Sequence, residues 1–160
     1  MLLHSLWLAE RPNISEGLKA ALLRQFSSPE ELYYCRESEL AALEMGGMTP
    51  EALEALGDKS LDGAEKTLET CLKGGVSFLT PEDPKYPDRL RALYDAPVLL
   101  YYKGTLPEFD DLPTIALVGT RKASPYGLKT AQRLGGEIAQ GGGLVVSGLA
   151  EGVDAAAMLG

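Results

Sequence analysis

The sequence is poor in the residues that disulfide scaffolds and metal sites require. Its 160 residues include only two cysteines, Cys35 and Cys71, and one histidine, His4. Two distant cysteines are too few for a disulfide framework or a zinc site, and His4 has no second ligand candidate near it. Each cysteine falls in an apolar pattern typical of a helix, so we expect reduced thiols in a hydrophobic core. We expect no metal and no cofactor.

Long hydrophobic runs and an excess of positive charge are also missing. No stretch approaches the roughly 20 apolar residues of a bilayer-spanning helix, and the first residues lack a signal-peptide cleavage site. We therefore expect a cytoplasmic protein without a membrane partner. Fifteen basic residues against 23 acidic residues give a net charge of −8, which taken alone argues against a nucleic-acid partner.

The distribution of charge qualifies that argument. Residues 1–75 carry 13 acidic and 7 basic residues, whereas residues 76–160 carry 10 and 8. Between Gly119 and Gly136 there is no acidic residue. That window is the only electropositive stretch, and it holds four basic residues: Arg121, Lys122, Lys129 and Arg133.

Residues 1–75 have the start and stop signals of short helices. Ser28 precedes a proline and is followed by Glu31, which predicts a capping box. We expect further helices near residues 15–26, from Thr49 to Gly57 and after Ser60. The pattern predicts a small all-helical domain over 1–75. Its acidity favours a covering or protein-contact role over direct contact with DNA.

Residues 76–160 change to an alternation of strands and helices. The runs VSFLT and VLLYYKG are rich in β-branched and aromatic residues and predict strands, with a short helix near Pro87 between them. The continuous apolar runs TIALVGT and LVVSG predict strands buried on both faces of a parallel sheet, joined by a helix over LKTAQRLGGEIAQ. We predict an α/β fold, with the domain junction near residues 74–76.

The loop after the first apolar strand, GTRKASPYG, combines cations with a helix start. Ser124 is a natural N-cap and Pro125 suits the first helical position. The backbone donors and partial positive charge of that start, beside Arg121 and Lys122, favour a phosphate. Gly119 would let the backbone approach a ligand closely.

The loop after the second strand should open at the same edge of the sheet. It begins with Ser147 and Gly148, and Gly152 leads to Asp154, which could cap the next helix. Both loops also have a simpler interpretation as tight turns that glycine and serine explain without a ligand. For the first loop, the paired cations favour anion binding.

Known catalytic and nucleotide-binding motifs fail on spacing. After Gly119 the next glycine is Gly127, so a dinucleotide fingerprint is absent, and Leu128 interrupts any phosphate-binding Gly-Lys-Thr sequence. Val145 stands where a nucleophile elbow needs its first glycine. With no general base in sight, we expect a binding protein and not an enzyme.

The sequences IALVGTRKASPYG and GLVVSGLAEGVDAAAM together resemble the DNA-processing protein A family, also called DprA or Smf. YPDRLRALYDAPVLLYYKG resembles that family's lead-in, and the helical half resembles its SAM-like N-terminal domain. The resemblance implies a SAM-like domain over 1–75 and the first half of a Rossmann-like domain over 76–160. It also implies single-stranded DNA binding and protection in natural transformation, loading of the recombinase RecA, and a homodimer.

Carried onto this sequence, the resemblance implies a nucleic-acid site with two motifs. The first matches the family's Gly-Ser/Thr-Arg turn, and the second follows the next strand. Family members often have histidine where this chain has Met158, so a role for that histidine does not transfer. The implied residues are Gly119, Thr120, Arg121, Ser124, Tyr126, Gly127, Ser147, Gly148, Gly152 and Asp154. The charge argument adds Lys122 to this predicted site.

The chain stops at Gly160, after two strands of the central unit, and we expect it to be a fragment of a longer gene product. Two alternatives to DNA binding stay open. The same turn would suit the phosphate of a mononucleotide, as in a nucleotide sensor with a Rossmann-like core. The acidic helical half could also dock a protein partner while the strand-end loops bind nothing.

Overall fold

The computed structural model describes residues 2–160, and its chain forms two compact units. The first extends to Leu106 and the second is Pro107–Gly160. The predicted junction near residues 74–76 falls inside the first unit, whereas the division into domains stays a prediction. No helix among residues 2–160 combines the length and hydropathy of a bilayer span.

The described part of the first unit consists of seven helices and one antiparallel pair of strands. Its core is formed by the helices, which bury Leu6, Trp7 and Leu56 completely. Both cysteines are free and partly buried, and Cys35 packs against this core. The elements are α1 (Leu2–Ala9), α2 (Glu16–Gln25), α3 (Pro29–Tyr34), α4 (Glu37–Ala41), α5 (Pro50–Gly57), α6 (Asp62–Lys73), β1 (Ser77–Leu79), α7 (Asp88–Arg91) and β2 (Leu100–Tyr102).

The helix starts follow the local capping chemistry of the sequence, with two differences. Ser28 accepts the N–H of Glu31, as predicted, but the Glu31 carboxylate accepts the N–H of Ser27 instead of Ser28. Thr49 caps α5. Ser60 accepts the N–H of Asp62 at 3.3 Å although α6 starts one residue later than a Ser60 cap would give.

The two predicted strands of the first unit pair with each other. β1 and β2 are antiparallel, with Phe78 opposite Tyr101. Val98 and Leu99, just before β2, are buried in the same core as the helices. This burial explains why the strand pair belongs to the helical unit.

The second unit is a parallel β-α-β unit followed by one more helix, as the sequence predicts. It contains β3 (Thr114–Ala116), α8 (Pro125–Gln140), β4 (Leu144–Val146) and α9 (Val153–Met158). β3 and β4 pair in parallel, with Ile115 opposite Val145. The chain therefore has the predicted α/β fold class.

The strands of the second unit are less buried than their apolar sequences predict. Ile115 and Val146 are each 43 % exposed. The expectation of strands buried on both faces is wrong for the described residues, because the parallel sheet has only two strands there and its side chains have few neighbours.

Glycines set the packing of α8 against α9. A Cβ on Gly135 would lie 2.0 Å from the carbonyl oxygen of Ala157, and one on Gly136 would lie 3.1 Å from that of Gly160. Backbone therefore meets backbone at this crossing. The buried residues of α8 are Ala131 and these two glycines, whereas Leu134 is exposed.

Candidate nucleic-acid site at the strand ends

Both predicted loops lie at one edge of the parallel sheet. The first follows β3 and leads into α8, and the second follows β4 and leads into α9. Parallel strands present their carboxyl ends at the same edge, where ligands of open α/β sheets bind. The fold thus brings together the two motifs that the sequence separates by more than twenty residues.

The cations of the first loop are exposed. Arg121 and Lys122 both face solvent, and neither forms an ion pair with any residue from 2 to 160. The loop is shaped by Thr120, whose hydroxyl accepts the N–H of Lys122 at 3.2 Å. The two charges are therefore free to bind an anion.

The start of α8 has the predicted cap. The Ser124 hydroxyl accepts the N–H of Gly127 at 3.2 Å, and Pro125 occupies the first turn. The N–H of Tyr126 has no acceptor within residues 2–160. A free backbone donor and the positive end of the helix dipole thus follow directly after the two cations.

The carboxylate of Asp154, in the first turn of α9, connects the two loops. The N–H of Gly119 donates to Oδ1 of Asp154 at 2.9 Å, and Asp154 is buried. This hydrogen bond is the main cause that lowers the pKa of the Asp154 carboxyl. Asp154 therefore stays ionised and holds the loops in register.

The roles of Gly119 and Asp154 differ from those the sequence suggested. Asp154 is not the N-cap of α9, because Gly152 occupies that position and the carboxylate reaches across to the other loop. The N–H of Gly119 is already occupied by this carboxylate. A Cβ at Gly119 would lie 2.8 Å from the side chain of Val153, so this glycine makes room for α9 and not for a ligand.

Gly152 also serves contact between the loops. Its φ is +90°, and a Cβ there would lie 2.3 Å from the carbonyl oxygen of Thr120 and 2.6 Å from that of Arg121. The N–H of Val153 donates to the Thr120 oxygen at 3.2 Å. The second loop thus supports the backbone that carries Arg121.

Backbone strain marks the second loop as well. Leu149 is exposed and has a φ of +53°, a left-handed conformation that leucine rarely adopts. Such a conformation costs roughly 1–2 kcal/mol and persists only where neighbouring contacts hold it. The sequence gives no sign of this strain, because nothing in the local pattern requires it.

Two contributions to the site are not predictable from sequence motifs. Val153 fixes the first loop through a steric contact with Gly119, which no motif reveals. Tyr126 was predicted, but Lys129 and Arg133 were noted only for their charge. The structure brings these three together with Thr130 around one concave surface of α8.

Comparison with protein families decides the relationship of the chain. A sequence model of the family described as DNA recombination-mediator protein A matches residues 77–160, more than half of the chain. The chain belongs to this family. The motifs that resemble the DprA/Smf family therefore identify it correctly, and every predicted site residue lies within the matched region.

Individual DprA and Smf proteins agree with this assignment. The chain is 29 % identical over 155 residues to Protein Smf of Synechocystis, covering 93 % of this chain and 38 % of that protein. It is 43 % identical over 79 residues to DNA processing protein DprA of Streptococcus pneumoniae, covering 47 % of this chain and 26 % of that protein. The chain thus spans between a quarter and two fifths of these relatives.

A solved DprA structure has the same fold. The X-ray structure of DNA processing protein A from Streptococcus pneumoniae superposes with a TM-score of 0.66 at 25 % identity, over 98 % of this chain and 52 % of that one. The similarity covers almost the whole chain, including the helical first unit. This agreement confirms the predicted fold class.

Proposed function

We propose that the protein binds single-stranded DNA at the strand-end loops and acts in DNA recombination as a binding protein and not as an enzyme. The observation that carries this proposal is the pair of exposed cations, Arg121 and Lys122, which lie directly before the capped start of α8 and have no ion-pair partner among residues 2–160. The names of its relatives, which describe DNA processing, support the same direction.

Charge distribution supports this site over the rest of the chain. Residues 107–160 contain four basic residues, and all of them lie between 121 and 133. Of the acidic residues in this unit, Asp154 is committed to Gly119. Phosphates approaching the first loop therefore meet positive charge and an open backbone donor at Tyr126, although the whole chain is acidic.

The proposed contacts are to the sugar-phosphate backbone. Arginine can grip a phosphate through two parallel hydrogen bonds, while lysine supplies a point charge. Neither contact reads a base sequence, so we propose binding without sequence preference. The loops that present these groups are shaped by the remaining predicted residues: Thr120, Ser124, Gly127, Ser147, Gly148 and Gly152.

The wider role rests on the family. We propose that the complete protein protects incoming single strands during natural transformation and helps to load RecA, as a cytoplasmic homodimer. Only the first part of that role, strand binding, depends on residues described above. It is also the part that a direct measurement can test.

The test is fluorescence anisotropy with a labelled single-stranded oligonucleotide at low and high salt. Arg121→Ala is expected to weaken binding several-fold at low salt and to lower the slope of log affinity against log salt by roughly 0.7 for the lost contact. Lys103→Ala, which removes an exposed lysine of the first unit, serves as the control and should bind like the wild type.

Equal affinity of Arg121→Ala and wild type at both salt concentrations would overturn the proposal. A thermal-shift comparison separates the nucleotide alternative, because a ligand stabilises the protein that binds it. Stabilisation by mononucleotides without stabilisation by oligonucleotides would replace strand binding with nucleotide sensing.

A further inference from the structure

The outer face of α8 carries a concave surface that extends from Tyr126, at the edge of the strand-end site, along the helix. Tyr126, Lys129, Thr130 and Arg133 line it, and its volume is about 280 Å³. Their spacing of three, four and seven residues places all four on one side of the helix. We call this surface the α8 face.

Folding of the described unit does not account for the α8 face. The Tyr126 side chain is 80 % exposed, whereas the packed side of α8 is formed by Ala131, Gly135 and Gly136. An aromatic ring left in water on a helix of a small unit gains no burial energy. Tyr94 of the first unit is almost equally exposed, so what distinguishes Tyr126 is that Lys129 and Arg133 lie on the same concave surface.

The charges on the α8 face are available for binding. Lys129 forms no ion pair with any residue from 2 to 160. Nε of Arg133 lies 3.7 Å from Oε1 of Glu137, and both side chains are well exposed. So long and exposed a pair holds the guanidinium only weakly, which leaves it free to exchange partners.

We infer that the α8 face binds a second stretch of single-stranded nucleic acid, with an unpaired base stacked on Tyr126 and with Lys129 and Arg133 on phosphates. This inference rests on the proposed function, because the same strand would continue from the first loop along the helix. A ring flanked by cations is the common arrangement for single strands, since every unpaired base offers a face. Paired bases in a duplex are already stacked and cannot cover the ring.

The dimensions suit a short extension of the strand. From Tyr126 to Arg133 the helix rises by about 10 Å, at roughly 1.5 Å per residue. Lys129 and Arg133 are separated by about 6 Å of this rise, which is comparable to the distance between neighbouring phosphates of an extended single strand. The α8 face therefore has room for both cationic contacts on one strand.

The experiment measures binding of a labelled single strand and of the matched duplex by the full chain and its variants. Tyr126→Ala should weaken single-strand binding about tenfold and leave the salt slope unchanged, because stacking involves no counterion. Tyr126→Phe keeps the ring and should bind like the wild type. Replacing both Lys129 and Arg133 with Gln should lower the salt slope by roughly 0.7 for each lost contact.

Tyr94→Ala is the matched control, since Tyr94 is a tyrosine of the first unit that is 77 % exposed. It should bind like the wild type. Because Tyr126 is exposed, its variants should also keep the melting temperature of the wild type, which separates a loss of binding from a loss of fold.

The outcomes separate this inference from the function on which it rests. If the wild type binds no oligonucleotide, the proposed function fails. If the wild type binds and Arg121→Ala weakens binding while Tyr126→Ala does not, only the α8 face is wrong. Equal losses for Tyr126→Phe and Tyr126→Ala would overturn stacking, and equal losses for duplex and single strand would overturn the preference for unpaired bases.

Discussion

The N–H of Gly119 donates to the Asp154 carboxylate at 2.9 Å, although the two residues are 35 apart in the sequence. Val153, next to Asp154, packs against the same glycine. One hydrogen bond and one steric contact thus fix the loop that carries Arg121. The stability of this arrangement is the basis of the first prediction.

Asp154→Asn should destabilise the second unit in a pH-dependent manner. The pKa of the Asp154 carboxyl is lowered in the folded protein, whereas the pKa of an aspartate in an unfolded chain is about 3.9. The stabilisation is therefore fully present above the unfolded value and is lost as pH falls through the lower folded value. We expect a melting temperature lowered by about 5 °C at neutral pH, with the difference from wild type shrinking below about pH 4.

Amide hydrogen exchange at Gly119 reports on this bond directly. Exchange should be slow in the wild type and faster in Asp154→Asn, because the amide oxygen that replaces the carboxylate accepts less strongly. Glu151→Gln, an exposed carboxylate in the same loop, is the control and should change neither property. A constant stability difference from pH 8 to pH 3 would contradict the assignment.

Gly152→Ala should destabilise the second unit more than Gly142→Ala. The φ angle is +90° at Gly152 and +80° at Gly142, so an alanine is conformationally unfavourable by roughly 1–2 kcal/mol at either position. Only at Gly152 would the new methyl group also collide with the carbonyl oxygens of Thr120 and Arg121, since nothing lies within 4 Å of a Cβ on Gly142.

Urea unfolding followed by circular dichroism measures the difference between these two variants. We expect Gly152→Ala to lose at least about 2 kcal/mol more than Gly142→Ala, as overpacking typically costs. Equal losses would mean that the second loop can move away from Thr120, and that its support of the first loop is weaker than the contacts suggest.

Ser124→Asp should separate folding from binding. Aspartate caps helices as well as serine does and places negative charge at the favourable end of the dipole, so stability should change by less than about 0.5 kcal/mol. The same charge beside Arg121 and Lys122 should repel phosphates and weaken oligonucleotide binding several-fold.

Ser124→Ala provides the complementary variant for this comparison. It should cost about 1 kcal/mol of stability because the N–H of Gly127 loses its acceptor, while adding no charge to the site. Thermal unfolding and anisotropy on both variants check the prediction. Undiminished binding by Ser124→Asp would place the phosphate away from the start of α8.

Local chemistry made several features predictable from the sequence. Ser28, Thr49 and Ser124 cap the helices that they were predicted to start, because an N-cap bond joins residues only three apart. The order of strand, helix and strand also fixed the parallel pairing of β3 with β4, since such connections have one strongly preferred geometry.

Contacts between distant segments were not predictable in the same way. Local pattern gives Asp154 a helix cap, whereas the structure gives it the amide of Gly119. A glycine at position 119 is compatible with a ligand-binding turn and with a turn packed on Val153, because both require the absence of a side chain. Partial burial of β3 and β4 depends on how many neighbours the sheet has, which an apolar run does not reveal.

The hydrogen bond between Gly119 and Asp154 and the contact of Val153 with Gly119 are made by the chain's own residues. The backbone of the loop that carries Arg121 is therefore preorganised, so binding of a strand does not have to order it. The entropic cost of association falls mainly on the long side chains of Arg121 and Lys122, which are free in solution. Capture of a strand should accordingly proceed at a rate set by electrostatic encounter and not by rearrangement of the loops.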